Sequence, residues 1–305
     1  FRSVKDYLSL VDRGAAVNVA YLIPHGAVRM LVKGNDEGYA DSNELAQMSA
    51  IVETGMEEGA IGLSAGLTYT PAMYASDDEL VNLCQVVAKF GGYYAPHHRN
   101  YGSQFLEAVD ACIEISRASG SALHLTHCHM SAPVYHDKTE LLFERIEKAE
   151  RAGIDVTLDT YPYLAGSTYL HALLPSWAQA GGVDQMAQRL KSAEVRSRVI
   201  DALNKTGSDG NQGGVVNWKI IVVAGIEASL DLVGLSIEEA AKRNQQEPAS
   251  FYLDLIAKEN YRASCVIFSG YEGNVRSKMQ HPKHMVGSDG ILTGNRPHPR
   301  SYGTF

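Results

Sequence analysis

The residues best suited to chemistry are one aspartate and two histidines that lie far apart in the sequence. Asp289 lies in Ser288-Asp289-Gly290 after an apolar run, and His97 and His127 end two upstream candidate strands. Hydrolysis of an amide at neutral pH needs a metal ion to activate water and a carboxylate to move its proton to the leaving nitrogen. Imidazoles and a carboxylate at the C-terminal tips of parallel strands supply that set in an α/β barrel. The pattern therefore predicts a metal-dependent hydrolase.

Histidines are concentrated around the second of these strand ends. In SALHLTHCHM (121–130), strand alternation predicts that His127 and His129 share one face and that His124 lies on the other. A lone histidine is more often an ordinary packing or surface residue. Three histidines within six residues, following His97 on the preceding strand, instead favour a functional cluster.

Two further side chains lie where a substrate could be bound. Tyr69, in the loop 68–75 after a candidate strand, could donate a hydrogen bond to a carbonyl or a carboxylate, and Arg300 at the end of RPHPR (296–300) offers a fork that matches a carboxylate. Each has a plainer alternative. Tyr69 fits equally well as an ordinary amphipathic tyrosine, and Arg300 as a solvated loop charge.

The elements that must position these residues follow a repeated pattern of a short apolar run, a loop and an amphipathic helix ended by glycine. This alternation predicts parallel strands covered by helices. The predicted strands are 16–23, 60–66, 92–97, 121–127 and 153–161. The predicted helices are about 42–58, 76–90, 103–119 and 138–152, the second beginning with a capping box from Ser76 to Glu79.

The repeat becomes irregular after residue 163. Further strands are predicted at 218–224 and 265–269, with helices and the Gly-rich loop 206–214 between the regular elements. We interpret residues 165–280 as a long excursion that caps the mouth of a barrel. The whole chain, 1–305, is then one catalytic α/β domain.

Composition narrows the classes of partner. The formal charge of -8, without a Lys/Arg cluster, argues against nucleic acid, whose phosphates require a basic face. No apolar stretch approaches the ~20 residues of a membrane-spanning helix. The four cysteines lack CxxC spacing and are predicted to be free buried thiols, which favours a cytoplasmic location. A small-molecule substrate is the expected partner.

Several longer strings, in the same order, resemble the D-aminoacylase (N-acyl-D-amino-acid deacylase) family of the amidohydrolase superfamily. The resemblance runs through most of the chain and is looser at about 170–280. The strings are NVAYLIPHGAVR (18–29), GAIGLSAGLTYTP (59–71), APHHRN (95–100), LTHCHM (125–130), DTYPYLAGST (159–168), GSDG (287–290) and HPRSYGTF (298–305).

The resemblance implies roles for individual residues. His97 and His127 are similar to the imidazole ligands of a tightly bound zinc, and Asp289 resembles a catalytic carboxylate that also approaches a second metal position. A further group resembles the positions that hold the substrate carboxylate and carbonyl: Tyr69, Ser167, Arg300 and, where the family has lysine, His129. The implied reaction is hydrolysis of an N-acyl-D-amino acid to a carboxylate and a D-amino acid.

The chain also departs from the family pattern. His129 replaces lysine, and Tyr101 replaces an acidic residue. The family's HxH motif, its metal-bridging cysteine and the first barrel strands would precede residue 1, and most of its accessory β-domain is not matched. We therefore expect an incomplete (β/α)8 barrel. Two alternatives stay open: hydrolysis of cyclic amides or dipeptides by the same metal set, and a catalytically inactive barrel or fragment that serves as a binding module.

Overall fold

The computed structural model describes residues 2–291 and 294–305, which divide into two compact units. The first unit comprises Phe1–Arg99, Leu106–Thr126 and Glu140–Leu158. The second comprises Asn100–Phe105, His127–Thr139 and Asp159–Phe305. Each unit is described separately below.

The first unit is built on parallel strands that neighbour one another in chain order. The register pairs Leu22 with Gly62, Tyr93 with Ala122, and Leu123 with Val156. The strands are β1 (Leu22–Pro24), β2 (Gly62–Gly66), β3 (Tyr93–His97), β4 (Ala122–Leu125) and β5 (Val156–Thr160), the last of which ends in the second unit. The prediction of an α/β fold with a parallel sheet is confirmed.

Amphipathic helices alternate with these strands, as the sequence pattern predicts. They are α1 (Val4–Val11), α2 (His25–Lys33), α3 (Ser42–Glu57), α4 (Asp77–Lys89), α5 (Phe105–Ser119) and α6 (Glu140–Arg151). Asp41 and Glu44 form a reciprocal capping box at the start of α3. Gly91 and Gly153 follow α4 and α6 with φ values of 70° and 86°, the left-handed conformation that ends helices.

Three local expectations for this part of the chain are corrected. The strand predicted at 16–23 is reduced to the short strand β1. The apolar residues before β1, such as Val17 at 73% exposure, are not buried and therefore do not stabilise a strand. The strand predicted at 121–127 ends at Leu125. Ser76 caps α4 by accepting from the Glu79 amide, but the Glu79 carboxylate binds His25 and Arg29 instead of closing a capping box.

The second unit contains a three-stranded antiparallel sheet with the order β6-β8-β7. Its strands are β6 (Ala165–Tyr169), β7 (Ile221–Gly225) and β8 (Ser264–Phe268), and β9 (His284–Val286) follows them in sequence. Its helices are α7 (Ser176–Gln179), α8 (Val183–Arg189), α9 (Ala193–Asp201), α10 (Ile237–Arg243), α11 (Pro248–Lys258), α12 (Glu272–Met279) and α13 (Arg300–Gly303).

A continuous apolar core holds this unit together. It joins the inner side of the antiparallel sheet to α10 and α11, and the rings of Trp218 and Tyr252 pack at 5.3 Å between centroids. Apolar burial on this scale is the main source of stability for such a unit. The strands predicted at 218–224 and 265–269 are therefore confirmed to within about three residues as β7 and β8, whereas the expectation that 165–280 caps a barrel stays a prediction.

No helix in the described part of the chain is both long enough and apolar enough to cross a membrane. The four cysteines, Cys84, Cys112, Cys128 and Cys265, are free and buried, as predicted.

Candidate functional site

In the first unit, the loop after β2 holds the ring of His97. The Thr68 hydroxyl lies 2.7 Å from His97 Nε2, and the Tyr69 ring lies 5.0 Å from the imidazole centroid. The Leu67 amide also donates to the His97 carbonyl at 2.9 Å. Two of the predicted site residues, His97 and Tyr69, are therefore in contact. Thr68 was missed because a threonine at a strand end has no distinctive sequence signal.

In the second unit, His127 lies in a tight turn and not on a strand. Its φ is 30°, and the His129 amide donates to the His127 carbonyl at 2.6 Å. The His127 amide donates to Asp159 Oδ1 at 2.5 Å. The strand alternation used to pair His127 with His129 therefore does not apply, because the Asp159 carboxylate takes the amide that a sheet partner would need.

The His127 ring packs on Tyr101, with 5.2 Å between centroids. Tyr101 is buried, and its amide donates to Gln212 Oε1 at 2.6 Å. In place of the family's acidic side chain, a buried aromatic ring thus packs on a predicted metal ligand.

His129 is held beside the C-terminal end of β5. Its Nε2 lies 3.3 Å from the Thr160 hydroxyl, and its ring lies 4.4 Å from the Tyr161 ring centroid. Burial, reinforced by the positive charge of Lys278, lowers the pKa of His129 well below its ordinary value. A neutral imidazole therefore stands where the family resemblance has a permanently charged lysine.

Asp289 and Arg300 form an ion pair. Arg300 Nη1 lies 2.8 Å from Asp289 Oδ2, and the two side chains are 1% and 37% exposed, respectively. Asp289 has a φ of 47°, a left-handed conformation that aspartate tolerates better than most residues. The pair thus joins a buried cation to a carboxylate that solvent and a substrate can reach.

The Arg300 guanidinium is fixed by two further groups. Its Nη2 donates to the Ser167 carbonyl at 3.1 Å, and the Arg300 Cζ atom lies 4.7 Å from the Tyr161 ring centroid. The Ser167 hydroxyl donates to the Cys265 carbonyl at 3.0 Å. Ser167 therefore contacts Arg300 through its backbone. Arg300 Nε has no hydrogen-bond partner among the described residues, so one buried donor of the guanidinium is unsatisfied.

Two contributors to this region were not singled out from the sequence: Asp159 and Lys278. An acidic residue inside the apolar strand pattern of β5 is a signal that could have identified Asp159. Lys278 lies in the polar sequence EGNVRSKM of α12, which looks like an exposed helix, yet its side chain is fully buried. No local pattern predicts that burial.

The donor types of His97, His127 and Asp289 fit zinc, which accepts imidazole nitrogen and carboxylate oxygen. Within residues 2–291 and 294–305, no group of three or more His, Cys, Asp or Glu side chains is arranged to hold a metal ion. Cys128 is a poor donor because burial raises the pKa of its thiol to about 12. The fit to zinc therefore rests on donor chemistry.

Comparison with known proteins shows what the chain resembles. It is 29% identical to an N-acyl-D-glutamate deacylase over 95% of its own length, and 28% identical to a D-aminoacylase over 100% of it, both from Alcaligenes xylosoxydans xylosoxydans. The chain is thus similar in sequence to the D-aminoacylases. It spans about half of these two proteins, 50% and 54% of their lengths. A scan against models of protein families finds no match.

Solved structures extend the D-aminoacylase resemblance to the fold. A zinc and phosphonate complex of N-acyl-D-glutamate deacylase from Bordetella bronchiseptica covers all of this chain with a TM-score of 0.78 at 24% identity, and the chain covers 55% of that protein. A D-aminoacylase structure concerned with a binuclear metal centre also covers the whole chain, with a TM-score of 0.76 at 26% identity, and is covered to 55%. The relatives are named as deacylases and D-aminoacylases, and one solved D-aminoacylase is described as defining a subset of the amidohydrolases.

Proposed function

We propose that this chain carries the greater part of the active site of a zinc-dependent deacylase acting on N-acyl-D-amino acids. The Arg300–Asp289 pair is the observation that carries the proposal, because it combines a fixed, buried guanidinium with an accessible carboxylate. The relatives support the substrate class, since they are named as deacylases of N-acyl-D-glutamate and as D-aminoacylases.

In this proposal His97, His127 and Asp289 are the residues that hold zinc, with a second metal position near Asp289. Zinc, when bound, acts as a Lewis acid and makes water a better nucleophile at neutral pH. The solved relatives support this cofactor, because one contains zinc and another is described by its binuclear metal centre, with one-metal activation and second-metal attenuation.

Asp289 is the proton carrier in the proposed reaction. Its carboxylate takes a proton from the attacking water and returns it to the amide nitrogen as the carbon–nitrogen bond breaks. The products are a carboxylate and a D-amino acid. An exposure of 37% leaves Asp289 accessible to water, while the salt bridge to Arg300 keeps it in place.

The substrate carboxylate is assigned to Arg300, whose Nε is a buried donor without a partner among the described residues. Tyr69, Ser167 and His129 complete the proposed substrate-binding group. Because His129 is neutral, it binds a carboxylate only through a hydrogen bond, which is weaker than a charge-assisted one. We therefore expect the amino-acid side chain and the affinity to differ from those of relatives that have lysine.

The proposed architecture is a (β/α)8 barrel of which this chain supplies most of the strands, with residues 165–280 capping its mouth. The parallel order of β1 to β5 supports this arrangement, as does the full coverage of the chain by solved structures of an N-acyl-D-glutamate deacylase and a D-aminoacylase. The free, buried cysteines support a cytoplasmic location.

A binding module without catalysis is the second candidate, and the replacements at His129 and Tyr101 favour it. Metal dependence separates the two functions. Zinc is removed from the purified protein with a chelator and restored, while release of free amino acid from N-acetyl-D-amino acids is measured. The proposal predicts that release stops and returns with zinc. Tight substrate binding without release at any zinc concentration supports the binding module and overturns the deacylase.

A further inference from the structure

The turn His127–His129 is tied to two residues that are distant in sequence. The amides of His127 and Cys128 donate to the Asp159 carboxylate and to the Asp159 carbonyl, at 2.5 and 2.8 Å. The Cys128 carbonyl accepts from Lys278 Nζ at 2.6 Å. The backbone of the turn is therefore fixed on one side by Asp159 and on the other by Lys278.

His127 needs such support because its φ of 30° is unusual for a residue other than glycine. A conformation of this kind persists only when the surrounding structure determines it. Its imidazole is also a proposed zinc ligand, and a ligand must be held in one orientation to bind a metal tightly. The unusual backbone conformation of His127 and its proposed zinc-binding role therefore both depend on this turn.

Asp159 also packs closely against the segment that leads to Asp289. A Cβ added at Gly287 would lie 2.5 Å from Asp159 Cγ, so the carboxylate and this part of the backbone are in close contact. The Gly287 amide donates to the Thr160 carbonyl at 3.3 Å. The single Asp159 carboxylate therefore touches both the turn that carries His127 and the backbone two residues before Asp289.

Lys278 is unusual because a buried ammonium normally has a carboxylate partner. Its side chain is 0% exposed, and no carboxylate pairs with it in the described part of the chain. Burial lowers the pKa of Lys278 to about 8. The Lys278 ammonium is costly to bury and cannot reach solvent. Its hydrogen bond to the Cys128 carbonyl is the best explanation for its burial.

We propose that Asp159 and Lys278 are positioning residues that hold the His127–His129 turn in the conformation in which His127 binds zinc. This inference rests on the proposed function only in taking His127 as a zinc ligand. Asp159 acts through the backbone of His127, and Lys278 acts through that of Cys128. Neither is assigned a role in the chemical step.

The test compares Asp159→Ala with Asp159→Asn, which keeps an acceptor oxygen, and adds Lys278→Met. Glu79→Gln, in the first unit, is the matched control for loss of a buried carboxylate. Two quantities are measured at a temperature where all variants are folded: zinc affinity by competition with a chelating dye, and amide hydrogen exchange of residues 125–131.

We expect Asp159→Ala and Lys278→Met to lower zinc affinity about 10-fold or more, the usual range for residues that orient a metal ligand. Exchange at residues 127–129 should rise in the same two variants. Asp159→Asn should retain most of both properties, and Glu79→Gln should change neither. Gly287→Ala, which presses on the Asp159 carboxylate without removing it, should also weaken zinc binding if Asp159→Ala does not fold.

Unchanged exchange at 127–129 in Asp159→Ala and Lys278→Met overturns the proposal, as does unchanged zinc affinity in variants whose turn has been loosened. Failure of the unsubstituted protein to bind zinc is a separate result. It counts against the proposed function, while the exchange measurement still decides whether these residues hold the turn.

Discussion

Arg29 in the first unit and Arg300 in the second are the two largest fully buried side chains of the described residues, yet their partners differ. Arg29 binds Glu79 and the Gly38 carbonyl, and His25 Nε2 binds the same carboxylate at 2.8 Å. Arg300 binds Asp289 and the Ser167 carbonyl. The chain thus contains two pairs of arginine and carboxylate. In one pair both side chains are buried, and in the other the carboxylate is exposed.

Exposure of the carboxylate distinguishes the two pairs. Glu79 is 2% exposed and Asp289 is 37% exposed, although the guanidinium is buried in both. Breaking a buried ion pair leaves an uncompensated charge, which is strongly destabilising. An exposed carboxylate that loses its partner is solvated instead. From this difference we expect the Arg29 pair to stabilise the fold, whereas in the proposed function the Arg300 pair presents groups for binding and catalysis.

The largest expected effect is on turnover in Asp289→Asn. Removing a general acid–base group lowers rates by about 10²–10⁴-fold. The melting temperature should also fall, because the change leaves the buried Arg300 guanidinium without its carboxylate, so rates are compared per folded molecule. Asp137→Asn is the matched control, since Asp137 also has a left-handed φ, of 53°, and an exposed side chain. Steady-state rates and thermal melts of both variants check this, and equal loss of activity in the two would remove Asp289 from the mechanism.

The next effect is on stability in Arg29→Met. This change leaves Glu79 buried without its main cation, and removal of one member of a buried pair costs about 3–5 kcal/mol. Urea unfolding measures the loss. Activity per folded molecule should be preserved. A variant that keeps its stability would show that the buried pair of Arg29 and Glu79 does not stabilise the fold.

A conservative exchange at both arginines sharpens the comparison. Lysine keeps the charge but lacks the planar fork. In Arg300→Lys we expect kcat/KM to fall about 10–100-fold, the effect of losing a charge-assisted hydrogen bond of about 1.5–3 kcal/mol. In Arg29→Lys we expect a similar energy to be lost from the free energy of unfolding, with kcat/KM retained. The same response to both exchanges would contradict the assignment of different roles.

The smallest effect is a dependence of stability on acid pH. Burial opposes ionisation of Glu79, but the hydrogen bonds with His25 and Arg29 outweigh it and lower the pKa of Glu79 below 4.5. A carboxylate with a lowered folded-state pKa stabilises the fold above its unfolded-state pKa, and the contribution is lost as the pH falls through the folded-state pKa. The stability difference between the unsubstituted protein and Glu79→Gln should therefore shrink below pH 4.5. A difference independent of pH would show that ionised Glu79 is not responsible.

The regular part of the fold is predictable because its signals are local. Helix α4 follows from Ser76, its apolar spacing and Gly91, and β3 follows from an apolar run that ends at His97. The same local rules fail where tertiary contacts decide. The Glu79 carboxylate leaves its cap to bind Arg29, and Asp159 stops β4 from extending to His127.

The candidate site was predictable only in part for the same reason. Histidine and aspartate attract attention by their chemistry, so His97, His127 and Asp289 can be selected as candidates from residue type and spacing. Thr68 and Lys278 are recognised only from their contacts, since a buried lysine and an exposed one look alike in a helical sequence. Candidate binding residues are therefore easier to select from a sequence than the residues that would position them.

The most direct test of the central claim is a comparison of enantiomers. Zinc-loaded protein is incubated with N-acetyl-D- and N-acetyl-L-amino acids of the same side chain, and the free amino acid is quantified. We expect release from the D enantiomers, with little from the L enantiomers. Release from neither, or preferential release from the L forms, would contradict it.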